Sequence, residues 1–194
     1  MSETISTPRS GELLDIVDED GNPTGQVASK KIIHDLGLPH RDTHVWVTNG
    51  RSLLQQQRNW DKSIMPGAWD ISVGGHVGVG ETYAEAAQRE TAEELGLIVP
   101  QNKLRRIGIV ATQLQFPGWK APHNIVGDNY VLYMPDLQLD DLTLQEEEVQ
   151  DARWYPIDQL EADIADPERA GLHAPQPAAL YALGIAGMRD VIEL

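Results

Sequence analysis

Residues 75–97 read GHVGVGETYAEAAQRETAEELGL. Glycines at 75, 78 and 80 open the stretch, and a run from Glu81 to Leu95 follows with no Gly or Pro. That run is rich in Ala, Glu and Gln, so it predicts a helix, and Gly96 stands where a left-handed C′ residue belongs. Tyr83, Ala87 and Leu95 fall on one stripe, the expected core face. Each helical residue turns by about 100°, so Glu90 and Glu94 share a face and Glu93 lies one step round. Three crowded carboxylates repel, and crowding or burial raises the proton affinity of at least one. A hard divalent cation relieves that conflict and takes oxygen ligands of this kind. Arg89 is spaced to reach Glu85 and Glu93, and it sits about two turns from Glu81 on the same side, where it can brace the start of the helix. The glycine loop lets backbone groups approach a metal or a phosphate. Glu93-Glu94 taken alone would read as a solvated helix face.

The full set of spacings, Gly75, Glu81, Arg89, Glu90, Glu93, Glu94 and Gly96, resembles the signature box of the Nudix hydrolase superfamily. Thr91 departs from it, standing where that family usually has a bulky aliphatic residue; the departure bears on core packing rather than on chemistry. The resemblance implies an α/β (α+β) Nudix fold, a mixed β-sheet sandwiched between helices. It implies cleavage of a phosphoanhydride bond in a nucleoside diphosphate or nucleoside diphosphate conjugate. It makes Glu90 and Glu94 primary magnesium ligands, with manganese as the alternative ion, and Glu93 a further ligand or a water-orienting group. Arg89 and Glu81 become the supporting ion pair, and Gly75 and Gly96 structural members of the motif. Glu93, Glu90 and Arg89 are then the expected catalytic set.

A narrower resemblance extends upstream. Residues 69–76 read WDISVGGH, preceded by Arg58, Lys62, Pro66 and Gly67. This is similar to the Nudix branch that contains isopentenyl diphosphate isomerase. It implies that Arg58 and Lys62 bind diphosphate and that His76 and His44 are metal ligands. Beside those roles stand plainer ones: solvated loop charges for Arg58 and Lys62, a half-buried strand histidine for His44. The isomerase's thiol acid is replaced by Gly74, and its later pair of acids has only Asp128-Asn129 as a counterpart. Protonating an alkene carbon needs a strong, well-placed acid, and without a thiol Tyr130 would be the first candidate. Hydrolysis needs metal, water and a base, so it is the expected reaction. An isoprenoid-diphosphate isomerase-like protein and a non-catalytic nucleotide-diphosphate sensor are the alternatives.

Outside these motifs, Glu12–Val17 and Thr24–Ala28 predict a hairpin around the turn at 18–23. Ser29 is the expected cap of a short helix with Ile32, Ile33 and Leu36 inward and Gly37 at its end. Strands are expected at His44–Thr48 and Ser52–Gln57, joined by Asn49-Gly50. Further strands are expected at Trp69–Val77, Leu104–Gln115, Tyr130–Met134 and Ala152–Tyr155. Phe116–Gly127 reads as a loop whose Phe116 and Trp119 could stack on a base or plug the fold. Leu139–Gln150 reads as an acidic connection, its Glu146-Glu147-Glu148 either a solvated turn or the source of a base. Helices are expected over Pro156–Ile164 and Pro177–Glu193, the latter with Leu180, Leu183, Ile185, Met188 and Ile192 as apolar positions.

The chain has 194 residues, enough for a single domain over 11–194 behind a flexible tail at 1–10. A net charge of −15 argues against binding nucleic acid or anionic lipid. The absence of cysteine removes disulfides, thiolate nucleophiles and sulfur-ligated zinc. With no apolar leader and no long apolar run, the expected location is cytoplasmic. The expected partner is a small-molecule diphosphate, and a homodimer is left open.

Overall fold

The computed structural model describes residues 12–62 and 64–191. The tail at 1–10 and the end of the helix expected over Pro177–Glu193, Ile192 and Glu193, lie outside the described residues. β1 (Leu13–Val17) and β2 (Pro23–Ser29) form an antiparallel hairpin. Asp18 closes its turn by accepting the Asn22 N–H at 2.8 Å. Ser29 caps α1 (Lys30–Leu36), which Gly37 ends in the left-handed region at φ 65°. Only Ile33 of the expected apolar trio is buried; Ile32 and Leu36 are 48% and 64% exposed. A helix of two turns lying on a hairpin has only one line of contact to offer.

β3 (His40–Thr48) and β4 (Ser52–Arg58) meet at Asn49-Gly50, where Asn49 Oδ1 accepts the N–H groups of Arg51 and Ser52. Arg58 therefore ends a strand rather than sitting in a loop. The stretch expected as one strand over 69–77 is two: β5 (Trp69–Asp70) pairs with β4, and β6 (Val73–His76) pairs with β3. The cause is a fork. β3 and β4 pair directly only at Thr48 and Leu53 and then part. Buried Ser72 stands in the gap: its Oγ accepts the Val47 N–H at 2.8 Å and donates to the Leu54 carbonyl. β5 and β6 lie on either side of that serine, each following a different arm.

α2 (Tyr83–Leu95) follows, then β7 (Leu104–Leu114), β8 (His123–Tyr133), β9 (Val149–Pro156), α3 (Ile157–Ala165) and α4 (Ala178–Asp190). β8 begins at His123, seven residues before the expected start, so the loop after β7 ends at 122. The large sheet runs β5-β4-β3-β8-β7, with β6 on β3 and β9 on β4; β3 and β8 are parallel and the other pairs antiparallel. Successive strand residues face opposite ways, and both faces are covered. Val45, Val47, Leu54, Tyr130 and Leu132 pack with Ala87 and Leu95 of α2. Trp46, Leu53 and Val131 pack with Leu160 of α3 and Leu180, Ile185 and Met188 of α4. Thr91, the departure in the box, is buried and donates its hydroxyl to the Ala87 carbonyl at 2.6 Å, so the helix itself satisfies it.

Ser72→Ala removes both hydrogen bonds in the fork and leaves a buried donor and acceptor without them. The expected cost is about 1–3 kcal/mol, read as a lower urea midpoint with an unchanged slope.

Candidate active site

The helix that carries the carboxylates is fixed at both ends. Thr82 Oγ1 accepts the Glu85 N–H at 3.2 Å, and Glu85 Oε2 accepts the Thr82 N–H at 2.8 Å, a reciprocal cap. Gly96, at φ 72°, ends the helix, and a Cβ there would lie 2.7 Å from Thr143. Glu81 therefore precedes the helix rather than opening it. It accepts the Gly78 N–H at 2.9 Å and the Arg89 fork, Nε to Oε1 and Nη2 to Oε2, both at 2.9 Å. Burial opposes the Glu81 charge, but these donors outweigh it and hold its carboxyl below the usual range. Arg89 also donates to Glu90 at 2.6 Å, to Glu93 at 3.3 Å and to the His76 carbonyl at 3.0 Å. The opposed charges raise the guanidinium's proton affinity.

Glu90 is fully buried and pressed against Gly75, where an added Cβ would meet its Cδ at 2.2 Å. Glycine at 75 is thus a steric requirement of the carboxylate beside it. Glu94 is 5% exposed and accepts from Gln56 Nε2 at 3.0 Å. Burial, with the Glu90 charge second, raises its pKa well above the ordinary carboxylate value despite the Gln56 bond. Buried carboxylates that repel one another fit the donor chemistry of a hard divalent cation.

The cleft above them is a cavity of about 220 Å³ whose lining includes Glu94, Gly75, Arg58, Lys62 and Glu148. A second cavity of about 110 Å³ continues it past His44, Asp70 and Phe116. Arg58 donates to the Ile64 carbonyl at 3.0 Å and lies 3.6 Å from Asp70 Oδ2. Lys62 pairs with Glu148. The acidic connection delivers Glu148 because Gln145 N–H bonds to the Glu94 carbonyl at 3.1 Å, laying the segment across the end of α2.

The histidines expected as ligands part company. The His76 ring faces His34, His40 and His123. His44 lies deep in the smaller cavity, and burial lowers its pKa to about 4. Sequence reasoning missed His34, His40, His123, Gln56 and Asp42. Asp42 is buried, and desolvation lifts its pKa to about 8. The residues nearest to the isomerase's acid pair are engaged elsewhere. Asp128 accepts from Arg106 and from the Tyr130 hydroxyl, and Asn129 accepts from Trp46 Nε1 at 3.3 Å.

This is a mixed sheet between helix layers with a glycine loop and an acidic helix at one cleft. The NUDIX domain family matches residues 38–174. The chain belongs to the Nudix hydrolase family. It is 37% identical over 153 residues to a Nudix hydrolase of Listeria monocytogenes, covering 78% of this chain and 83% of that protein. It is 34% identical over 151 residues to Nudix hydrolase 3 of Arabidopsis thaliana, covering 76% of this chain but only 20% of that much longer protein. The crystal structure of DR0079 from Deinococcus radiodurans is similar at a TM-score of 0.63 and 26% identity, covering 89% of this chain and 97% of that one. No helix among the described residues is long and apolar enough to cross a membrane.

A carboxyl held above its unfolded pKa stabilises the fold only while protonated, so that contribution is complete in acid and lost as pH climbs through the folded value. Glu94→Gln stays neutral throughout. In chelator-treated protein its melting temperature is expected to rise above the parent's by a margin that widens as the pH climbs above the ordinary carboxylate range. A margin independent of pH would mean that Glu94 carries no raised proton affinity.

Proposed function

We propose that the chain is a divalent-metal-dependent hydrolase of a phosphoanhydride bond in a nucleoside diphosphate or its conjugate, with magnesium the physiological ion and manganese a substitute. The observation that carries the reading is the single cavity that joins buried Glu94 to Arg58 and Lys62. Glu90 and Glu94 would hold the metal with Glu93 beside them; the His76 ring packs with His34, His40 and His123 on the same cavity, and His44 lines the adjoining one. When bound there, the ion neutralises phosphate oxygens and lowers the pKa of the attacking water.

The protein's own groups do the rest. Arg89 fixes Glu90 and Glu81 so that the carboxylates do not relax apart. Arg58 and Lys62 hold the phosphates that the ion does not reach. Each now faces an acid, so a diphosphate must take the place of Asp70 and Glu148. A phosphate that captures Lys62 frees Glu148 next to Glu94, where it or Glu93 can receive the proton of water. Within the family we place the chain on the branch resembling isopentenyl diphosphate isomerase, but as a hydrolase. Gly74 stands at the thiol position, and Tyr130 is buried in the core with its hydroxyl on Asp128.

A panel of nucleoside diphosphates and conjugates with magnesium, followed by phosphate release and product identification, is expected to give at least one substrate. Glu94→Gln should reduce turnover on it by about 100-fold or more, the scale of losing a principal electrostatic group. Parental turnover in that variant would refute the assigned site. Lys62→Ala is expected to raise KM more than it lowers kcat, and Arg58→Lys to lose activity because a lysine cannot reproduce the fork. Unchanged kinetics in both would return these cations to a purely structural role.

A further inference from the structure

The β1–β2 hairpin lies against the glycine loop that leads into the acidic helix, and one buried ion pair joins the two. Asp15 of β1 and Arg41 of β3 are 7% and 8% exposed, and Arg41 Nη2 donates to Asp15 Oδ2 at 2.9 Å. Both partners also hold the backbone of the loop. The same Nη2 lies 3.4 Å from the Gly78 carbonyl that accepts it, and Asp15 Oδ2 accepts the Gly80 N–H at 3.4 Å. The backbones run together there as well: Leu14 bridges to Gly78, and the Val77 N–H donates to the Arg41 carbonyl at 3.0 Å. The turn of the hairpin makes a second contact, with the first residue of α2. A Cβ on Gly21 would lie 2.7 Å from the Tyr83 hydroxyl, which donates to the Val126 carbonyl at 3.1 Å. The Arg41 guanidinium stands 5.4 Å from the centre of the Tyr83 ring.

Held in this way, the loop passes the constraint inward. Gly78 gives its carbonyl to Arg41 and its N–H to Glu81 at 2.9 Å, so a single residue links the outer pair to the fork between Glu81 and Arg89. Arg89 in turn holds the buried Glu90. Burial works against the Glu81 charge, and the Arg41 charge adds to the Arg89 and Gly78 donors that favour it. Stability alone does not account for the outer pair. Two charges taken out of water lose their hydration, and their attraction repays that loss only when the remaining donors are satisfied too. Arg41 Nε is buried with no hydrogen-bond partner. Two apolar side chains could fill the same space without that penalty, but they could not hold the Gly78 carbonyl and the Gly80 N–H.

We propose that Asp15 is a positioning residue for the carboxylate site: paired with Arg41 it fixes the loop at Gly78 and Gly80, and through Glu81 and Arg89 it sets where Glu90 stands beside Glu94. This role rests on the hydrolase reading, in which Glu90 and Glu94 are the metal ligands. Asp15 itself touches neither the ion nor the substrate. Its effect therefore falls on how tightly the ion is held and on kcat, not on capture of the phosphates. Arg58 and Lys62, which serve the phosphates, are held by Ile64, Asp70 and Glu148 rather than by the hairpin.

The test compares the untagged full chain with Arg41→Lys and with the double variant Asp15→Leu/Arg41→Met. The double variant exchanges a buried ion pair for apolar side chains, a change that often leaves stability equal or higher. Mn2+ is titrated into chelator-treated protein, with the free ion followed by electron paramagnetic resonance, and the binding counted is the part that Glu94→Gln abolishes. The double variant is expected to keep the parent's melting temperature yet bind Mn2+ about 10–100-fold more weakly, the range for losing a group that supports a metal ligand. Its kcat should fall while KM for the best substrate stays near the parent's. Arg41→Lys should show a smaller loss of affinity, because an ammonium can reach Asp15 but cannot serve the Gly78 carbonyl with the same fixed geometry. A double variant that melts like the parent and binds Mn2+ like the parent overturns the proposal, as does one that raises KM and leaves kcat unchanged. Should the double variant not fold, Arg41→Lys decides, and parental Mn2+ affinity in it overturns the proposal. A parent with no Glu94-dependent Mn2+ binding refutes the metal reading and the proposal together. A parent that binds Mn2+ but hydrolyses no diphosphate refutes the hydrolase reading alone, and the affinities still decide the role of Asp15.

Discussion

Arg89 is the cation around which the acidic cleft is assembled. Its three nitrogens reach the fork on Glu81, the buried Glu90, the half-exposed Glu93 and the carbonyl of His76. Charge-assisted bonds of this kind are about twice as strong as neutral ones, and here they tie the helix face to the turn before it and to the strand before that. Without this guanidinium, Glu90 would remain fully buried against Gly75 and close to Glu94 with the repulsion uncompensated. The helix could then hold its sequence only by turning its acids outward. Lysine could not substitute, because a point charge cannot serve a carboxylate fork and a second acid at once.

The cleft itself comes from the sheet rather than from the helix. β3 and β4 part at Ser72, and the space between the arms is what Gln56 from one side and Gly74 and Gly75 from the other come to line. A sheet with β3 and β4 paired along their full length would have no such opening. The covered faces explain why the fork is tolerated. Trp46 is buried under α4, where an added Cβ on Gly184 would lie 2.4 Å from its ring. The glycines that weaken α4 as an isolated helix therefore allow it to come close to the strand it covers.

What was legible in the sequence was what one segment decides by itself. The closing glycine of α2, the spacing of Glu90 and Glu94, the reach of Arg89 and the Asn49-Gly50 turn are local, and each stands where its spacing places it. What depends on partners distant in the chain was not legible. The run 69–77 has the composition of one strand, and only the fork divides it. His34, His40, His76 and His123 come from four elements, and none has a neighbour in sequence that marks it. His76 was read as a metal ligand from the resemblance of the 69–76 run to the isomerase branch. Its backbone carbonyl is what Arg89 holds, while its ring packs with His34, His40 and His123 and lines the same cavity as Glu94. The early start of β8 was hidden for a similar reason: His123 and Asn124 pair with β7, the residues from Ile125 on pair with both β3 and β7, and that pairing overrides their weak local preference.

Charge in the cleft has a consequence for how an anion could enter it. The two joined cavities are lined by Asp42, Asp70, Glu94 and Glu148 against Lys30, Arg58 and Lys62. Arg58 lies beside Asp70, and Lys62 is paired with Glu148. The protein around them carries a net charge of −15. Long-range attraction of a diphosphate therefore cannot come from the side chains alone. It needs added positive charge inside the cleft, and the buried carboxylate of Glu94 lines that opening. On the hydrolase reading, metal loading precedes substrate, and Arg58 and Lys62 act after arrival. They exchange an internal acid for a phosphate at short range, where a hydrogen bond counts for more than the overall field.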